Sequence, residues 1–445
     1  MAGIKSDLER ACDVEKSYRI QTGLYVIGCL ERGATVYNQQ TRAHNLVWAL
    51  WELQQRKSRN VGRVAIVGGG IAGLTAAACL LALFKDSISV TLFERLLDIC
   101  PIQQGSDARW LHPRIYDWPF EGSRAPSASL PVLNWSEGRA SDVARSILKE
   151  FGEFCEAFSG DEKRFSVYLG LRHFQIDATN RKITWVATKG RRAGAHFQLD
   201  EPGGISSEFD TIVLATGFGL ETLIQPYSIE SYWRNEQLGQ PFLDGSQRRY
   251  LISGFGDGAL VDLCRLTIER FRQDSIVYEL FPSNLVEVEG CLSDELSSRS
   301  GDENVFELLE RVERNGLLDS AKKELRERIR KDTEVTLHLR GANGEIKTFD
   351  QIFGRNSSFL NRLLTYLLYR SGAFALEFSE LEKAVARHDV PALHVLCRHG
   401  ARTIDQLSEL FSDFALVEPK LAKLKERQGQ HPSRQWAPGV FRHYL

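Results

Sequence analysis

The stretch RVAIVGGGIAGLTAAACLLALF, residues 63–84, is the clearest structural signal in this chain. A short apolar run typical of a buried strand is followed by Gly68, Gly70 and Gly73 at the G-x-G-x-x-G spacing, and a helix rich in small residues begins near Ile71. The first glycine permits a tight turn, the second lets backbone approach a pyrophosphate, and the third lets helix and strand pack closely. Because a helix N-terminus also attracts anions, the stretch predicts a dinucleotide-binding turn.

The next expected strand, SVTLFE, ends on an acid. Glu94 lies 26 residues beyond Gly68, where a carboxylate can accept hydrogen bonds from the hydroxyls of an adenosine ribose. Arg95, which follows it, is a further candidate for contact with the cofactor. A lone GxGxxG motif is a weak signal, but here a strand precedes it, a helix follows it and an acid closes the second strand.

This constellation resembles the FAD-binding domain of the two-dinucleotide-binding flavoproteins, the superfamily that includes glutathione and thioredoxin reductases and flavin monooxygenases. A second mark of that superfamily is a strand ending in Ala-Thr-Gly, which this chain has in DTIVLATGFG, with Thr216 and Gly217 as candidate cofactor contacts. Over about residues 60 to 280 the chain also resembles a loosely defined group of bacterial FAD/NAD(P)-binding proteins. The resemblance implies that FAD is the ligand of the first site.

A second glycine turn lies in RRYLISGFGDGALVDLCRL, residues 248–266, where Gly254, Gly256 and Ala259 fit G-x-G-x-x-A. We expect a strand before the turn, a helix after it and a further strand in SIVYEL that carries Glu279, 25 residues beyond Gly254. This interval nearly repeats that of the first site. The pattern therefore predicts a second nucleotide site, for NAD(P)H.

An alternative assigns the same glycines to the flavin site, with Asp257 as the late Gly-Asp acid that holds the ribityl chain in the resembled superfamily. The complete helix, strand and acid after the turn favour the nicotinamide interpretation. A carboxylate at the ribose favours NADH over NADPH because it would repel a 2′-phosphate, and Glu279 would have that role. Arg270 and Arg272 lie close in sequence and could reverse this preference.

The segment PIQQGSDARWLHPRIYDWP, residues 101–119, is the best candidate for an active-site wall, because the corresponding segment of the resembled families runs beside the isoalloxazine ring. Gln104 and Ser106 could bond the polar edge of the flavin or the pyrophosphate, and Arg109 could offset phosphate charge. His112 could pass a proton to a reduced-oxygen or substrate atom and is the candidate catalytic residue. The alternative is that His112 and its aromatic neighbours pack an irregular loop.

Composition narrows the functional classes. A formal net charge of −2 gives no reason to expect nucleic acid or an anionic membrane as a partner, and we expect neither. The eight cysteines include no CxxC pair and no Cys/His cluster at metal spacing, which argues against a disulfide reductase and against a metal site. The charged N-terminus and the absence of long apolar runs favour a cytoplasmic protein.

We therefore expect an α/β protein with a discontinuous, Rossmann-like FAD domain, an inserted Rossmann-like nicotinamide domain, an N-terminal lead segment and a C-terminal extension. The expected function is an FAD-dependent oxidoreductase that takes hydride from NAD(P)H and passes electrons to oxygen or a small molecule, as an oxidase or a monooxygenase. The alternative is a flavin-binding sensor or regulatory protein without turnover, whose terminal segments meet a protein partner or a second copy. The expected boundaries are a lead segment at 1–60, FAD domain at 61–220, NAD(P) domain at 221–340, and C-terminal FAD part with extension at 341–445.

Overall fold

The structure of the chain is a computed structural model. It describes a set of ranges that together cover most of the sequence. These ranges are residues 6–28, 30, 35–158, 164–187, 204–217, 224–227, 231–299, 303–340, 344–354, 357–400, 403–427 and 432–441.

Strands and helices alternate along much of the chain. The strands are β1 Arg19–Gln21, β2 Leu24–Val26, β3 Arg63–Val67, β4 Ser89–Phe93, β5 Trp110–Leu111, β6 Gly138–Arg139, β7 Phe165–Tyr168, β8 His173–Asp177, β9 Lys182–Val186, β10 Gly204–Glu208, β11 Thr211–Leu214, β12 Arg248–Ser253, β13 Thr333–His338, β14 Ala375–Glu377 and β15 Val395–Cys397. The α-helices are α1 Asp7–Tyr18, α2 Val36–Gln55, α3 Ile71–Phe84, α4 Ala140–Phe158, α5 Asp257–Thr267, α6 Ile276–Leu280, α7 Leu285–Ser298, α8 Val305–Arg314, α9 Asp319–Glu327, α10 Phe359–Arg370, α11 Leu381–Arg387, α12 Thr403–Ser408 and α13 Phe414–Arg427.

The chain divides into two compact units. The first comprises Met1–Pro113, Ser127–Gly219 and Arg402–Leu445, and the second comprises Arg114–Pro126 and Leu220–Ala401. The second unit is thus inserted into the first, as the sequence predicts. The boundaries differ from the expected ones, because residues 341–401 belong to the inserted unit and not to the C-terminal part of the FAD domain.

The first unit is built on a six-stranded sheet of order β1-β2-β11-β3-β4-β7, in which every pair except β1 with β2 is parallel. Taken in chain order, β3, β4, β7 and β11 occupy the 3-2-1-4 arrangement of a Rossmann sheet. The strand β2 extends this sheet beside β11, so the N-terminal lead segment supplies part of it. A separate antiparallel sheet of β8, β9 and β10 follows β7 along the chain.

Both faces of the first sheet are buried, which explains why the four residues of β3 after the exposed Arg63 are all apolar. Val64 and Ile66 belong to one core cluster, with α2, α3 and α4, whereas Ala65 and Val67 belong to another, with β8, β9 and α13. All 14 residues of α3 are buried, since the helix packs on β3 and β4 and also contacts α2 and α4.

The second unit has its own parallel sheet of order β14-β13-β12-β15. Because the strands follow the chain as β12, β13, β14 and β15, this order is again 3-2-1-4. The α/β fold with two Rossmann-like parts is therefore confirmed.

One expected strand is wrong. Residues 275–280, SIVYEL, do not form the second strand of the inserted unit; Ile276–Leu280 is the helix α6, and Ser275 is its N-terminal cap. The strand that pairs with β12 in this place is β13, which begins at Thr333 after the helices α6 to α9. A run of six mainly apolar residues suits a strand and a buried helical turn equally, and the pairing partner decides between them.

The described residues contain neither a helix suited to a membrane nor a group of side chains suited to a metal. No helix among them combines the length and the apolar character needed to cross a membrane. Likewise, no group of three or more His, Cys, Asp or Glu side chains in the described ranges is placed to hold a metal ion.

Candidate functional site

The first glycine turn connects β3 to α3 through close backbone contacts. Gly68 has a φ of +114°, and a Cβ atom on it would collide with the carbonyl oxygen of Ala215, just after β11. A Cβ atom on Gly73 would collide with the carbonyl oxygen of Gly68. These two positions require glycine for reasons of packing within the protein.

Gly70 differs from these two, because a Cβ atom there would meet nothing within 4 Å. Its φ of −77° is open to any residue, so neither strain nor a protein neighbour demands glycine. Gly70 is also the N-cap of α3 and provides no side-chain cap for that helix. The result is an open space beside uncapped backbone N–H groups, which is the feature that an anionic group of a ligand can use.

Glu94 directly follows β4 and turns back toward the same glycines. Its Oε2 accepts a hydrogen bond of 2.7 Å from the N–H of Gly69, and its Oε1 accepts one of 2.8 Å from the N–H of Leu96. Burial raises the pKa of this carboxyl group, and the two backbone donors oppose that effect. The side chain is therefore fixed at the turn, whereas the neighbouring Arg95 is exposed.

The segment after β4 also reaches the glycine turn, through a contact that the sequence does not reveal. The N–H of Cys100 donates a hydrogen bond of 2.7 Å to the carbonyl oxygen of Gly69. Gln104, predicted to contact the cofactor, instead donates to the Oδ2 of Asp98 at 3.0 Å and to the carbonyl oxygen of Ile99 at 2.6 Å. In this structure its amide thus holds the loop together.

Ser106 is completely buried, and its Oγ has no hydrogen-bond partner among the described residues. A buried hydroxyl without a partner is unfavourable and fits a group that receives a ligand. Arg109 is also buried. His112 follows β5, and its Nε2 lies 3.8 Å from the Oε2 of Glu137, so the candidate catalytic histidine has a carboxylate neighbour.

The inserted unit repeats the geometry of the first turn. Gly254 has a φ of +139°, and a Cβ atom on it would lie 2.5 Å from the carbonyl oxygen of Arg398, just after β15. Gly256 is the uncapped N-cap of α5 with a φ of −83°, and a Cβ atom there would meet nothing within 4 Å. Ala259, in the place of the third glycine, is buried.

The strand register extends this equivalence. Leu214 is paired with Val67 in the first sheet, and Cys397 is paired with Ser253 in the second. The residues after them correspond as well: Thr216-Gly217 has a counterpart in His399-Gly400, and both glycines have positive φ, +66° and +78°.

Asp257 begins α5, and its carboxylate is used within the inserted unit. Its Oδ1 accepts hydrogen bonds from the N–H of Ser358 at 2.9 Å and from the Nδ2 of Asn361 at 2.6 Å, and its Oδ2 accepts one from the hydroxyl of Tyr116. Burial first, and then the charge of Asp257, raises the pKa of Tyr116 well above its usual value. Asp257 therefore ties the start of α5 to the start of α10, and β12 before it is the first strand of the second sheet.

Glu279 does not lie at a strand end, which corrects the expected ribose contact. It lies in α6, where its Oε2 is 2.6 Å from the Nη1 of Arg328 and its Oε1 accepts a hydrogen bond from the hydroxyl of Ser275. The helix places this carboxylate in an ion pair, and the strand β13 takes the position beside β12 that a ribose-binding acid would follow.

A hydrogen-bonded chain of side chains that the sequence does not predict lies at the carboxyl ends of β12, β13 and β15. The Oγ of Ser253 lies 2.8 Å from the Nδ1 of His338 and 2.7 Å from the Nε2 of His399. The Nε2 of His338 lies 2.7 Å from the carbonyl oxygen of Ser379. Burial lowers the pKa of His338, and burial followed by the charge of His338 lowers that of His399. No local motif reveals this group, because its members lie 85 and 146 residues apart.

The residues of the first turn fit an FAD molecule. The space beside Gly70 and the uncapped N-terminus of α3 suit a pyrophosphate, Glu94 stands at the end of the second strand, and Ser106 offers a buried hydroxyl. When bound there, the cofactor supplies redox chemistry that side chains of a protein do not supply.

One comparison with known proteins, the family match, agrees with this fit. Residues 63–201 match the model of the family described as DAO, FAD dependent oxidoreductase. No curated protein matches the chain. Among solved structures, an NAD-dependent persulfide reductase from A. fulgidus is similar, with 14% identity and a TM-score of 0.31; the match covers 76% of this chain and 45% of that one. A likeness at this level does not indicate a shared activity.

The family match begins at Arg63 and includes the first glycine turn, Glu94 and the segment with Ser106. The same residues form the site described above, and FAD is the cofactor of the matched family. Residues 63–201 of this chain are therefore similar to an FAD-dependent oxidoreductase domain, and the site described above lies within the matched residues.

Proposed function

We propose that this flavoprotein is an enzyme that takes reducing equivalents from NAD(P)H at its second glycine turn and passes them to oxygen or a small-molecule substrate. FAD supplies the electron-transfer chemistry when it is bound at the first turn. The chain provides the two nucleotide sites. The choice between an oxidase and a monooxygenase, and a cytoplasmic location, stay predictions from the sequence.

One observation carries the nicotinamide part of this proposal, namely the second glycine turn on a sheet of its own. The contact of Gly254 with Arg398 repeats that of Gly68 with Ala215, and the open position of Gly256 repeats that of Gly70. A Cβ atom at Gly256 would meet no protein atom within 4 Å. Space kept free beside a helix N-terminus supports a second anionic ligand there.

The same observation weighs against assigning Asp257 to the ribityl chain of the flavin. The strand β12 lies in the middle of the second sheet, between β13 and β15. Both oxygens of Asp257 already accept hydrogen bonds from the inserted unit itself. The strand, helix and sheet around this turn therefore all belong to the inserted unit, which supports a nucleotide site separate from the flavin site.

The regulatory alternative rests on terminal segments that have no recognisable chemistry of their own. Their described parts pack into the first unit, which favours the enzyme over this alternative. In the first unit, β2 pairs with β11 within the main sheet, and residues 432–441 contact α2, where the Nδ2 of Asn45 donates to the carbonyl oxygen of Ser433 at 3.0 Å. These described parts of the termini belong to the body of the unit.

The test is to add NADH or NADPH, without oxygen, to the purified FAD-containing protein and to follow flavin absorbance. We expect bleaching within seconds with at least one of the two nucleotides. Retention of the oxidised spectrum with both nucleotides would sink the proposal and leave the regulatory alternative. Peroxide formation in air, measured with and without candidate substrates, then distinguishes an oxidase from a coupled hydroxylase.

A matched pair of variants connects the reduction to the second turn. Gly256→Val fills the open space beside α5, so we expect it to retain FAD and lose reduction by NAD(P)H. Gly290→Val is the control, because Gly290 lies in α7 of the same unit and its Cβ would also meet nothing within 4 Å. If Gly256→Val were reduced as fast as Gly290→Val, the nucleotide would have to bind elsewhere.

A further inference from the structure

The two Rossmann-like sheets allow a residue-by-residue comparison of their ribose positions. In the first sheet Val67 is paired with Phe93, and Glu94 follows directly. In the second sheet Ser253 is paired with His338, and Leu339 follows directly. The hydrogen bonds of the two turns also correspond. The N–H of Gly68 donates to the carbonyl oxygen of Phe93 at 2.8 Å, and the N–H of Gly254 donates to the carbonyl oxygen of His338 at 3.2 Å.

The second site therefore lacks the acid that the first site has. Leu339 is completely buried, and its N–H donates to the carbonyl oxygen of Glu377 at 2.8 Å. A leucine neither accepts hydrogen bonds from ribose hydroxyls nor repels a phosphate. A carboxylate at this position would favour NADH over NADPH by binding the ribose hydroxyls and by repelling a 2′-phosphate, and Leu339 provides neither effect.

A cationic residue, Arg340, comes directly after Leu339 in the sequence. Arg340 corresponds to Arg95, and one of its guanidinium nitrogens, Nη2, lies 2.5 Å from the Oε1 of Glu380. The two side chains are 34% and 51% exposed, so the pair is open to solvent and weakly held. A guanidinium group has five N–H donors in a planar fork, which leaves donors for a phosphate beside those used by one carboxylate.

A second acid of this edge, Glu377, is held by partners of its own. Glu377 ends β14, and its side chain is buried. Its Oε1 accepts from the N–H groups of Phe378 and Ser379, both at 2.9 Å, and its Oε2 lies 2.7 Å from the Nη1 of Arg387. Its charge is therefore offset by its own partners.

From this placement we infer that the second site prefers NADPH to NADH and that Arg340 is the residue that recognises the 2′-phosphate. The inference rests on the proposed use of NAD(P)H and specifies which nucleotide is used. It reverses the preference for NADH, which depends on Glu279 at a strand end. It also replaces Arg270 and Arg272 as the cations that decide the choice, since they precede α6 and do not follow β13.

The test measures binding of NADP⁺ and NAD⁺ to the FAD-containing protein by calorimetry, for the wild type and for Arg340→Ala. We expect the wild type to bind NADP⁺ tighter by on the order of tenfold or more, as for a charge-assisted contact with a phosphate. Arg340→Ala should lose most of this ratio while its affinity for NAD⁺ stays unchanged. The matched control is Arg272→Ala, which removes another arginine of the same unit with a carboxylate partner, Asp274, and should retain the ratio.

A second variant keeps the test independent of any folding defect. Glu380→Gln removes the competing carboxylate and leaves Arg340 in place, so it should tighten NADP⁺ binding and leave NAD⁺ binding unchanged. Equal or tighter binding of NAD⁺ by the wild type overturns the inference, although the proposed function stands. Binding of neither nucleotide by a protein that holds FAD overturns both.

Discussion

The peptide carbonyl of Arg398 lies directly against Gly254, so that a Cβ atom on this glycine would be 2.5 Å from the carbonyl oxygen. Arg398 follows the last strand of the second sheet and Gly254 follows the first, and the N–H of Arg398 donates to the carbonyl oxygen of Ser253 at 2.8 Å. The two strand ends therefore hold each other in place. This contact within the protein holds the glycine turn in its conformation without the help of a ligand.

The first prediction follows from that contact. Gly254→Ala should lower the free energy of unfolding of the inserted unit by about 2–4 kcal/mol, because the new methyl group meets a backbone carbonyl at a φ of +139°. Gly256→Ala, two residues away, should cost less than about 1 kcal/mol, since its φ is ordinary and its surroundings are open. Urea titrations followed by circular dichroism measure both variants. Equal losses would show that the turn is not held by Arg398.

The second prediction separates packing from ligand binding at the first turn. The Cβ atom of Gly70→Val meets no protein atom within 4 Å, so we expect the protein to fold with its secondary structure intact. The side chain occupies space beside the N-terminus of α3, and FAD affinity should fall by on the order of a hundredfold or more. Flavin content per chain, measured from the absorbance of the purified protein, is the readout.

The control for this variant is Gly152→Val. Gly152 lies in α4 of the same unit, and a Cβ atom there also meets nothing within 4 Å. This control should be yellow. A Gly70→Val protein with the same flavin content as the control would contradict the placement of the pyrophosphate at this turn.

The elements around the first glycine turn could be predicted from the sequence because each of their signals is local. The strand β3, the glycine turn, α3, β4 and Glu94 lie within 32 consecutive residues, from Arg63 to Glu94. The apolar run, the glycine spacing and the strand-end acid then agree with one another. Contacts of the loop residues Ser106 and Cys100 cannot be predicted in this way, because an irregular loop has no repeating sequence pattern. Only the structure shows that the N–H of Cys100 donates to the carbonyl oxygen of Gly69.

The second site shows why the rest could not be predicted. The helices α6 to α9 separate α5 from β13, so the strand that pairs with β12 begins 85 residues after it in the register, with Arg248 opposite Thr333. The apolar run SIVYEL lies much closer to β12 in the sequence, and its Glu279 follows Gly254 by nearly the same number of residues as Glu94 follows Gly68. Pairing between distant strands, and not the spacing along the chain, determines which residue follows the second strand. The spacing therefore predicts Glu279 directly after the second strand of the inserted sheet, where the structure has Leu339.

The third prediction concerns acid stability and His44. This histidine is completely buried in α2, with ring centroids 4.9 Å from Trp436 and 5.2 Å from Phe441, and its Nδ1 lies 2.8 Å from the carbonyl oxygen of Gln40. Burial lowers its pKa to about 4, from 6.5. Below pH 6.5 the unfolded chain takes up a proton that the folded chain refuses until about pH 4. Stability is therefore lost as the pH falls through this window.

The expected size of the effect is about 2 kcal/mol between pH 8 and pH 5. His44→Phe keeps an aromatic ring between Trp436 and Phe441 but cannot titrate, so its loss over the same pH range should be smaller by that amount. Urea unfolding at the two pH values, monitored by tryptophan fluorescence, gives the comparison. A pH dependence identical in both proteins would mean that His44 titrates normally.

The fourth prediction assigns protons in the chain His338–Ser253–His399. A carbonyl oxygen only accepts, so the Nε2 of His338 donates to Ser379, and its Nδ1 must accept from the hydroxyl of Ser253. That oxygen is then free to accept from the Nε2–H of His399. Both rings are expected to be neutral at pH 7, since the pKa of each is lowered, and both should carry the proton on Nε2. Nitrogen NMR of labelled histidine distinguishes the two tautomers.

A substitution tests the same assignment energetically. Ser253→Ala leaves the buried Nδ1 of His338 without its donor and should cost about 1–3 kcal/mol of the free energy of unfolding. Ser253→Thr retains the hydroxyl in a strand position and should recover most of that loss, and with it the Nε2–H form of His399. If Ser253→Ala matched Ser253→Thr in stability and left both tautomers unchanged, the hydroxyl would not be the link between the two rings. The neutral ring of His399 follows β15 at the place where Thr216 follows β11, so its tautomer decides that its other nitrogen, Nδ1, is an acceptor at the edge of the second glycine turn.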